Sequence, residues 1–477
     1  MSTKESGDVP VEEFRQQLRQ LTDWIVEYRA NIEKLPVAPA VTPGEITRAL
    51  PSVPPNEGEA FDAIFADFKD IIVPGLLNWA HPEFLAYFGC TTTAPGVLGE
   101  IASAALNVNA MTWRTSPAAT ELETVVIDWL RQWLLLPAEW SGVVFDTASI
   151  GIMHALCAAR EEAVPDARTL GVSGGPALRI YTSDQAHSSV EKAAIAIGVG
   201  EENVVRVPTD ESFRMRVEKL RELIARDLSG GMRPLAVVAT CGTTSTASVD
   251  PVNAIADVCH EYKIWLHIDA AYGGGLALLP EEGAITEGWA RADSLIVNPH
   301  KMLFVPFDFS VLYLRDLERL RRVFTLVPEY LRGDTEEAER NYMDYGVPLG
   351  RRFRALKAWM VFRTFGREGI AARIREHMRL ARLFGDWVSA SRRWELSAPV
   401  SMGVVCFRAK RAPDDFNSRL VEEVNHSGRA YLTQTKLRGR TAIRLGLGNI
   451  LTTENHVRAG WELICQTANK LAEKYAI

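Results

Sequence analysis

Short apolar runs alternate with segments of helical periodicity between about residue 86 and residue 375. Runs rich in branched and aromatic side chains predict buried strands, and apolar positions three or four residues apart predict helices between them. This alternation is typical of an α/β fold with a mostly parallel central sheet covered by helices. The predicted strands are Val143–Phe145, Leu178–Thr182, Leu235–Thr240, Ile264–Ile268, Ser294–Val297 and Val311–Leu314.

The N-terminal region has a helical pattern and no strand pattern. Residues 11–35 carry apolar side chains at helical spacing and end in a proline-rich stretch, and residues 61–72 repeat the pattern. An amphipathic helix of this kind cannot bury its apolar face alone. We therefore expect residues 1–85 to form a helical arm that packs on the partner subunit of a homodimer.

The pattern changes again near the C-terminus. After about residue 376 the sequence predicts a long helix, a strand at Val404–Arg408, another at Ala442–Leu447 and a terminal helix. Such a mixture is typical of a small α/β domain. The expected organisation is therefore the helical arm, a large domain over residues 86–375 and a small domain over residues 376–477.

Composition and charge narrow the classes of function. The 477 residues are 47% hydrophobic and 24% charged, which are ordinary globular values. The 53 basic and 60 acidic residues give a net charge of −7, and the absence of a basic run argues against a nucleic-acid or membrane surface. No signal-peptide pattern or membrane-length apolar run is present, so a cytoplasmic location is expected. Six scattered cysteines without a CxxC pair favour core positions over disulfides or a metal site.

An aspartate and a lysine follow two successive predicted strands. Asp269 comes directly after Ile264–Ile268, and Lys301 lies in Asn298-Pro299-His300-Lys301 after the next strand. Apolar segments on both sides of Lys301 disfavour the alternative of a solvated loop lysine, because desolvation favours a neutral, nucleophilic amine. An imine-forming amine and a carboxylate for a pyridinium nitrogen are the two poles that pyridoxal phosphate requires. The pair therefore predicts a pyridoxal phosphate site.

Two further segments lie at strand ends. The run Asp146-Thr147-Ala148-Ser149 opens an apolar helix, whose free amides and positive dipole end suit a phosphate, although Asp and Ser are also ordinary helix caps. His187 could stack on a pyridine ring, but taken alone it is more typical of a helix cap. Ligands gather at the carboxyl ends of parallel strands. His187, Thr244, Asp269 and Lys301 all follow such ends.

A set of ordered motifs carries a resemblance to a known family. The motifs are His81–Phe88, Ser116–Glu123, the segment around His187, Gly242–Thr244, Asp269–Tyr272, Asn298–Lys301 and Pro348–Arg354. From about residue 10 to the C-terminus the chain resembles the group II pyridoxal phosphate-dependent decarboxylases, most closely the aromatic-L-amino-acid decarboxylases. The resemblance implies the PLP-dependent transferase fold, known as fold type I, and a homodimer.

The resemblance also implies a role for each site residue. Lys301 would hold the cofactor as a Schiff base, and Asp269 would pair with its pyridinium nitrogen. Ala271 and His187 would lie on opposite faces of the ring. The phosphate would be held by Ala148, Ser149, Asn298 and His300, with Thr244 close to the cofactor. The substrate pocket would be lined by Trp79, Tyr87, Phe88 and Phe307.

One implied role concerns a mobile loop. Tyr342 would lie on a loop over Pro328–Gly346 and would protonate the substrate carbon after CO2 has left. The polar and charged run Arg332–Arg340 is typical of a loop that closes over a site. On the residues alone, a solvated helix end with an incidental tyrosine is an equally good interpretation.

The chain departs from the family pattern at several positions. Gly89-Cys90 stands where proline and threonine are usual, Met111 replaces an aromatic pocket residue, and Met302 replaces a tryptophan after the lysine. Ile150-Gly151 follows Ser149 where Glu and a small residue are usual. The first three positions bear on the size and substituents of the ring that the pocket accepts, and the last on the phosphate site.

These observations predict decarboxylation of an aromatic L-amino acid to an arylalkylamine and CO2. One alternative is oxidative deamination to an arylacetaldehyde, which Tyr342 and His187 disfavour. Another is decarboxylation of an acidic amino acid, for which the segment Tyr87–Gly89 and Met111 offer no basic group. An aminotransferase or desulfurase of fold type I, and a non-catalytic cofactor-binding protein, complete the alternatives. The sequence does not rank tryptophan, tyrosine, phenylalanine and dihydroxyphenylalanine.

Overall fold

The computed structural model describes residues 7–90, 92–326 and 339–475. The N-terminal region is helical, and the ring of Trp24 on the first helix contacts Phe65 and Phe68 on a later one. Phe14 and Val26 of the first helix are 56% and 62% exposed in the single chain. The helices of this region are α1 (Val11–Ala30), α2 (Glu45–Ala49) and α3 (Phe61–Asp67), which continues as a π-helical turn at Phe68–Ile72.

The centre of the molecule is the sheet that the apolar runs predicted. Its strands are β1 (Ser141–Phe145), β2 (Leu178–Ser183), β3 (Val204–Val207), β4 (Arg233–Thr240), β5 (Trp265–Asp269), β6 (Ser294–Val297) and β7 (Ser310–Leu314). Their order is β1-β7-β6-β5-β4-β2-β3. Neighbouring strands are parallel except where β7 pairs with β6 and β1. The edge strand β3 was not predicted, because it is short and only its last residue is buried.

Helices cover this sheet. They are α4 (Ala94–Leu106), α5 (Pro117–Trp133), α6 (Ala148–Ala163), α7 (Ala167–Leu170), α8 (Ser189–Ala196), α9 (Val217–Ser229), α10 (Val252–Tyr262), α11 (Pro299–Met302) and α12 (Glu318–Phe324). The strand-forming runs are almost completely buried, as expected of a sheet covered on both faces.

The C-terminal region forms a second, smaller sheet. Its elements are α13 (Ala355–Ala390), β8 (Trp394–Leu396), β9 (Val404–Ala409), α14 (Asp414–His426), β10 (Thr433–Leu437), β11 (Arg440–Gly446) and α15 (Glu454–Tyr475). The strands pair antiparallel in the order β10-β11-β9-β8. Edge-to-face contacts of Phe384 with Phe407 and Trp461 join this sheet to its helices. Strands β8 and β10 lie at its edges and were not predicted.

Helix α13 contributes to the hydrophobic cores of both sheets. Ile374 and Met378 of α13 belong to the core of the large sheet, and Leu380 and Phe384 belong to that of the small sheet. The boundary expected at residues 375–376 therefore falls inside α13. The helix has one interruption, at Gly366, where φ is +61°.

A buried ion pair joins two of the motifs in the interior. Arg351 donates to Glu123 at 2.6 Å and to the carbonyl of Val144 at 2.9 Å, and Glu123 accepts the amide of Val144 at 3.2 Å. The pair thus fixes α5, β1 and the Pro348–Arg354 segment to one another. Removing one partner of such a pair leaves a buried charge and costs about 3–5 kcal/mol.

The described residues were also compared with the expectations for cysteines, membrane spans and metal sites. All six cysteines are unpaired, and four of them are buried. Across the ranges that the structure describes, no helix is long and apolar enough to cross a membrane. No group of three or more His, Cys, Asp or Glu side chains in those ranges is arranged to hold a metal ion.

Candidate active site

A cavity of about 740 Å³ lies at the carboxyl ends of β2, β4, β5 and β6. Residues of α14, β10 and β11 in the small lobe close its other side. This is the position where parallel sheets bind ligands. Of the site residues predicted from the sequence, those that line the cavity are Trp79, Tyr87, Phe88, Ala148, Ser149, His187, Thr244, Asp269, Ala271, Asn298, His300, Lys301 and Phe307.

Asp269 lies at the carboxyl end of β5 and Lys301 shortly after that of β6, and the two strands are adjacent and parallel. Asp269 ends β5 and accepts the amide of Ala271 at 3.0 Å. The amine of Lys301 lies 5.0 Å from the centroid of the Phe88 ring. Burial lowers the pKa of Lys301 and the charge of Asp269 opposes that shift. The site can therefore hold a reactive amine next to a fixed carboxylate.

His187 presents a flat, uncharged ring to the same cavity. Its Nδ1 accepts the backbone amide of Ser189 at 3.1 Å and lies 2.9 Å from the Ser189 hydroxyl. A neutral imidazole bonded in this way carries its proton on Nε2. Burial lowers the pKa of His187, and the nearby charge of Asp269 opposes that effect. The neutral form that the hydrogen bonds require is therefore also favoured by burial.

The N-terminus of α6 opens onto one end of the cavity. Thr147 precedes the helix and makes no side-chain cap, and Thr147, Ala148 and Ser149 all line the cavity. The first amides of a helix have no partner within the helix, and the helix dipole makes this end positive. The end of α6 therefore suits a phosphate group.

Two side chains after β6 complete this end of the cavity. His300 accepts the amide of Phe309 on Nδ1 at 3.0 Å, and burial lowers its pKa to about 3, so that it is neutral with a proton on Nε2. Asn298 is buried, and its Oδ1 has no hydrogen-bond partner among the residues that the structure describes. A buried amide oxygen of this kind is costly unless a hydrogen-bond donor satisfies it. The donors at this end, the Nε2–H of His300 and the open amides of α6, fit a phosphate-bearing cofactor.

Aromatic rings form another wall. Trp79 and Tyr87 stack with centroids 5.3 Å apart, and Phe88 stacks on Tyr272 at 3.8 Å. Trp79, Tyr87 and Phe307 are 38%, 45% and 61% exposed in the single chain. A wall of flat apolar rings with exposed edges suits an aromatic side chain.

The structure does not place Tyr342 in this cavity. Tyr342 begins a short 3₁₀ turn, is 1% exposed, and its hydroxyl lies 2.9 Å from that of Thr124. The guanidinium of Arg351 lies 4.7 Å from its ring centroid. The expectation that Tyr342 lies on a mobile loop over the site is therefore not met, because a hydroxyl partner and a cation hold it in the core. The earlier part of the expected loop, residues 328–338, lies outside the described residues.

The departures from the family pattern have unequal effects on the cavity. Cys90 lines it, whereas Met111 and Met302 do not, and Met302 is buried against Gly275 instead. Gly89 packs against the backbone of Gly448, where an added Cβ would approach to 3.0 Å. Gly89, Cys90, Met111 and Met302 were expected to affect which substrate ring the pocket accepts. Of these four residues, only Cys90 lines the cavity.

Sequence reasoning missed one cationic residue of the cavity. Arg444 of β11 is 5% exposed and lines the same space as Lys301. Tyr87–Gly89 and Met111 carry no basic group, as the sequence analysis noted, but the small lobe supplies one to the same cavity. The available signal was an arginine within the apolar strand Ala442–Leu447, since a buried arginine requires partners.

The fold and the site together define a pyridoxal phosphate enzyme of fold type I, as the sequence predicted. Residues 43–410 match the family described as the pyridoxal-dependent decarboxylase conserved domain. The chain is 36% identical over 480 residues to an aromatic-L-amino-acid decarboxylase of Catharanthus roseus, covering 97% of this chain and 95% of that protein. It is also 36% identical over 479 residues to a phenylacetaldehyde synthase of Arabidopsis thaliana, covering 97% of each.

The solved structures give the same picture. The crystal structure of Oryza sativa TDC with PLP and tryptamine superposes with a TM-score of 0.94 at 35% identity, covering 98% of this chain and all of that one. The chain belongs to the pyridoxal-dependent decarboxylase family. It is a carboxy-lyase that uses pyridoxal phosphate.

Proposed function

We propose that the protein converts an aromatic L-amino acid into the corresponding arylalkylamine and CO2. The observation that carries this proposal is the aromatic wall of Trp79, Tyr87 and Phe88 in the same cavity as Lys301 and Asp269. The relatives named for aromatic amino acids and the solved relative that holds tryptamine support it. A flat apolar side chain would lie against the rings while its amino group faces Lys301.

Pyridoxal phosphate supplies the electron sink that takes up the electron pair when CO2 leaves. Lys301 is the proposed point of covalent attachment, since burial leaves its amine more nucleophilic. Asp269 would hold a proton on the ring nitrogen, because a carboxylate beside that atom stabilises its charged form. His187 and Ala271 would contact the two ring faces. His187 also offers an N–H at Nε2 on the cavity side of its hydrogen bond to Ser189.

The phosphate would lie at the end of the cavity formed by α6 and the turn after β6. The open amides of Ala148 and Ser149 and the Nε2–H of His300 are donors suited to its oxygens. Asn298 also lines this part of the cavity and would donate to the phosphate from its side-chain Nδ2–H. Thr244 follows β4, whose last residue Thr240 pairs with Asp269, and lines the same cavity, so it would lie close to the ring.

The proposed assembly is a cytoplasmic homodimer. Exposed apolar side chains on α1, among them Phe14 and Val26, support a partner that covers them. The exposed edges of Trp79, Tyr87 and Phe307 support a second subunit near the cavity mouth. The division into an arm (1–85), a large domain (86–375) and a small domain (376–477) remains a proposal, with the refinement that α13 belongs to both cores.

A second candidate is decarboxylation coupled to oxidative deamination, which yields an arylacetaldehyde. The similarity to a phenylacetaldehyde synthase supports this second candidate. The sequence argument against this route named Tyr342 and His187; Tyr342 lies in the core, and His187 lines the cavity. The decision between the two routes therefore rests on the products.

The test is a substrate panel with the purified holoenzyme. Tryptophan, tyrosine, phenylalanine and dihydroxyphenylalanine are compared with glutamate and aspartate, and CO2, amine, aldehyde and peroxide are all quantified. We expect an aromatic substrate to give amine and CO2 in equal amounts. Preferred turnover of an acidic substrate, or aldehyde with peroxide as the main product, would overturn the proposal.

A further inference from the structure

The backbone of the aromatic wall lies against one loop of the small lobe. The wall segment, residues 79–88, precedes α4, and the loop, residues 448–452, follows β11. The hydroxyl of Thr452 in the loop donates to the carbonyl of Pro82 in the wall segment at 2.7 Å. Both residues are buried, so the two stretches of chain are joined in the interior of the molecule.

Asn449 is the residue of this loop whose side chain reaches Trp79. Its Nδ2 donates to the carbonyl of His81 at 3.0 Å and, over a longer distance of 3.4 Å, to that of Trp79. Its Oδ1 accepts the amide of Leu451 at 2.8 Å. The side-chain amide thus meets carbonyls on one side and an N–H on the other, which fixes its orientation. Asn449 is 1% exposed, so water does not compete for these hydrogen bonds.

The backbone of Asn449 is in turn held by α13. Its carbonyl accepts a hydrogen bond from Nε2 of His377 at 2.9 Å, and His377 is a buried residue of that helix. Burial lowers the pKa of His377, so its ring is neutral, and the carbonyl partner requires the proton to be on Nε2. Since α13 contributes to both hydrophobic cores, Asn449 connects the aromatic wall to the most deeply packed helix of the small lobe.

Asn449 acts on Trp79 through the backbone. The two carbonyls that it holds lie on either side of Ala80, so they fix the turn from which the Trp79 side chain leaves. The indole ring contacts the other rings of the wall, with centroids 5.3 Å from Tyr87 and 4.5 Å from Phe84, and is 38% exposed in the single chain. A shift of this turn would therefore move a ring that lines the cavity, while the proposed cofactor residues after β5 and β6 stay in place.

We propose that Asn449 is a positioning residue that sets the face of Trp79 against which the substrate ring packs. This inference rests on the proposed aromatic substrate and names a residue outside the cavity that determines how well the ring fits. Asn449 does not line the cavity and contacts none of the groups proposed for the chemical step. Its loss should therefore weaken the binding of the ring and leave the reaction at Cα unchanged.

The first test is Asn449→Leu in the holoenzyme. Leucine has about the size of asparagine but has no N–H for the carbonyls of Trp79 and His81. We expect KM for the preferred aromatic substrate to rise roughly fivefold, the effect of losing one ring contact. We expect kcat and the cofactor absorbance to stay within about twofold, because a lost binding contact raises KM alone. An unchanged KM in the folded, cofactor-loaded variant would overturn the inference.

The second test is Asn449→Asp, which adds a dependence on pH. An aspartate buried beside two carbonyls has a raised pKa, and its neutral form can donate one O–H where its charged form donates nothing. The rise in KM relative to the unmodified enzyme should therefore be larger at about pH 8.5 than at about pH 6.5, whereas Asn449→Leu should show the same rise at both. If the leucine variant does not fold, an aspartate variant with an unchanged KM at both pH values would overturn the inference.

The matched control is Asn417→Leu. Asn417 is another fully buried asparagine of the small lobe, and its Nδ2 donates to the carbonyl of Pro413 at 3.3 Å while its Oδ1 accepts the amide of Ala409 at 2.9 Å. It has the same kinds of hydrogen bond as Asn449, but it is bonded to neither the wall segment nor the cavity. This control should lower the free energy of unfolding and leave KM unchanged.

The remaining outcomes are also decisive. If Asn417→Leu raises KM as much as Asn449→Leu does, a general loosening of the small lobe is the cause and the inference is wrong. A fall in kcat at unchanged KM would also contradict it, because Asn449 would then act on the chemical step. If the unmodified holoenzyme turns over no aromatic amino acid, the proposed function itself fails, and that failure is seen before any variant is made.

Discussion

Phe88 stacks on Tyr272 with ring centroids 3.8 Å apart and planes inclined by 24°. Tyr272 lies in the loop after β5, just beyond Asp269, whereas Phe88 belongs to the segment that precedes α4. The contact therefore joins the loop after Asp269, on the proposed cofactor side of the cavity, to the aromatic wall. The amine of Lys301 lies 5.0 Å from the centroid of the same Phe88 ring. One side chain thus touches both the cofactor side and the substrate side of the site.

Replacing Phe88 by leucine should weaken substrate binding more than cofactor binding. The change removes a flat face on which the substrate ring would stack, a contact worth about 1 kcal/mol beyond the buried area. We expect KM for the aromatic substrate to rise roughly fivefold while the pyridoxal phosphate content is unchanged. The control is Phe365→Leu, because Phe365 contacts Arg373 on α13 and does not line the cavity. An unchanged KM in Phe88→Leu would remove Phe88 from the substrate pocket.

Borohydride reduction of the holoenzyme should fix the cofactor to Lys301. Peptide mapping should find the pyridoxyl group on the peptide that contains Lys301 and on no other. Lys357 is an internal control, because burial also lowers its pKa but it pairs with Glu100 away from the cavity. A label on Lys357 or on any third lysine would contradict the assignment.

Tyr342→Phe should retain amine formation. The hydroxyl lost is the one that contacts Thr124 in the core, so we expect a loss of about 1 kcal/mol in the free energy of unfolding and activity within about twofold of the parent. Both quantities are measured on the same preparation, with Tyr345→Phe as the matched variant. A roughly hundredfold loss of amine formation at unchanged stability would instead identify Tyr342 as a proton donor.

Much of the proposed site was predictable because its residues follow buried strands. The apolar runs before Asp269 and Lys301 predict two parallel strands whose carboxyl ends meet at one edge, and the structure has them as the neighbours β5 and β6. His187 and Thr244 follow β2 and β4 in the same way. The fold type was predictable for the same reason, since alternating strands and helices specify the sheet.

The positions of Arg444 and Tyr342 could not be predicted from sequence patterns. The sequence predicts a strand at Ala442–Leu447, but not that one arginine on it reaches carbonyls some 200 residues earlier at Thr244 and Ser245. The polar run before Tyr342 suggests a surface loop. Yet contacts with Thr124 and Arg351, which are remote in sequence, hold the ring in the core. Both outcomes depend on tertiary contacts that local composition does not encode.

The exposed side of α1 should control assembly. The double change Phe14→Ser and Val26→Ser removes two exposed apolar side chains of that helix, so we expect a lower dimer fraction at micromolar concentration. Light scattering coupled to size-exclusion chromatography measures it. Gln16→Ser is the control on the same helix and should leave assembly unchanged. A double variant as dimeric as the parent would show that another surface holds the subunits together.

In the proposed reaction, CO2 leaves from Cα and a proton takes its place. The most direct measurement is the reaction of the preferred aromatic amino acid in deuterium oxide, with the products analysed by mass spectrometry and nuclear magnetic resonance. We expect an arylalkylamine that carries one non-exchangeable deuterium on the carbon that held the carboxylate, together with an equal amount of CO2. A 2-oxo acid formed without CO2, or an arylacetaldehyde formed with uptake of dioxygen, would contradict it.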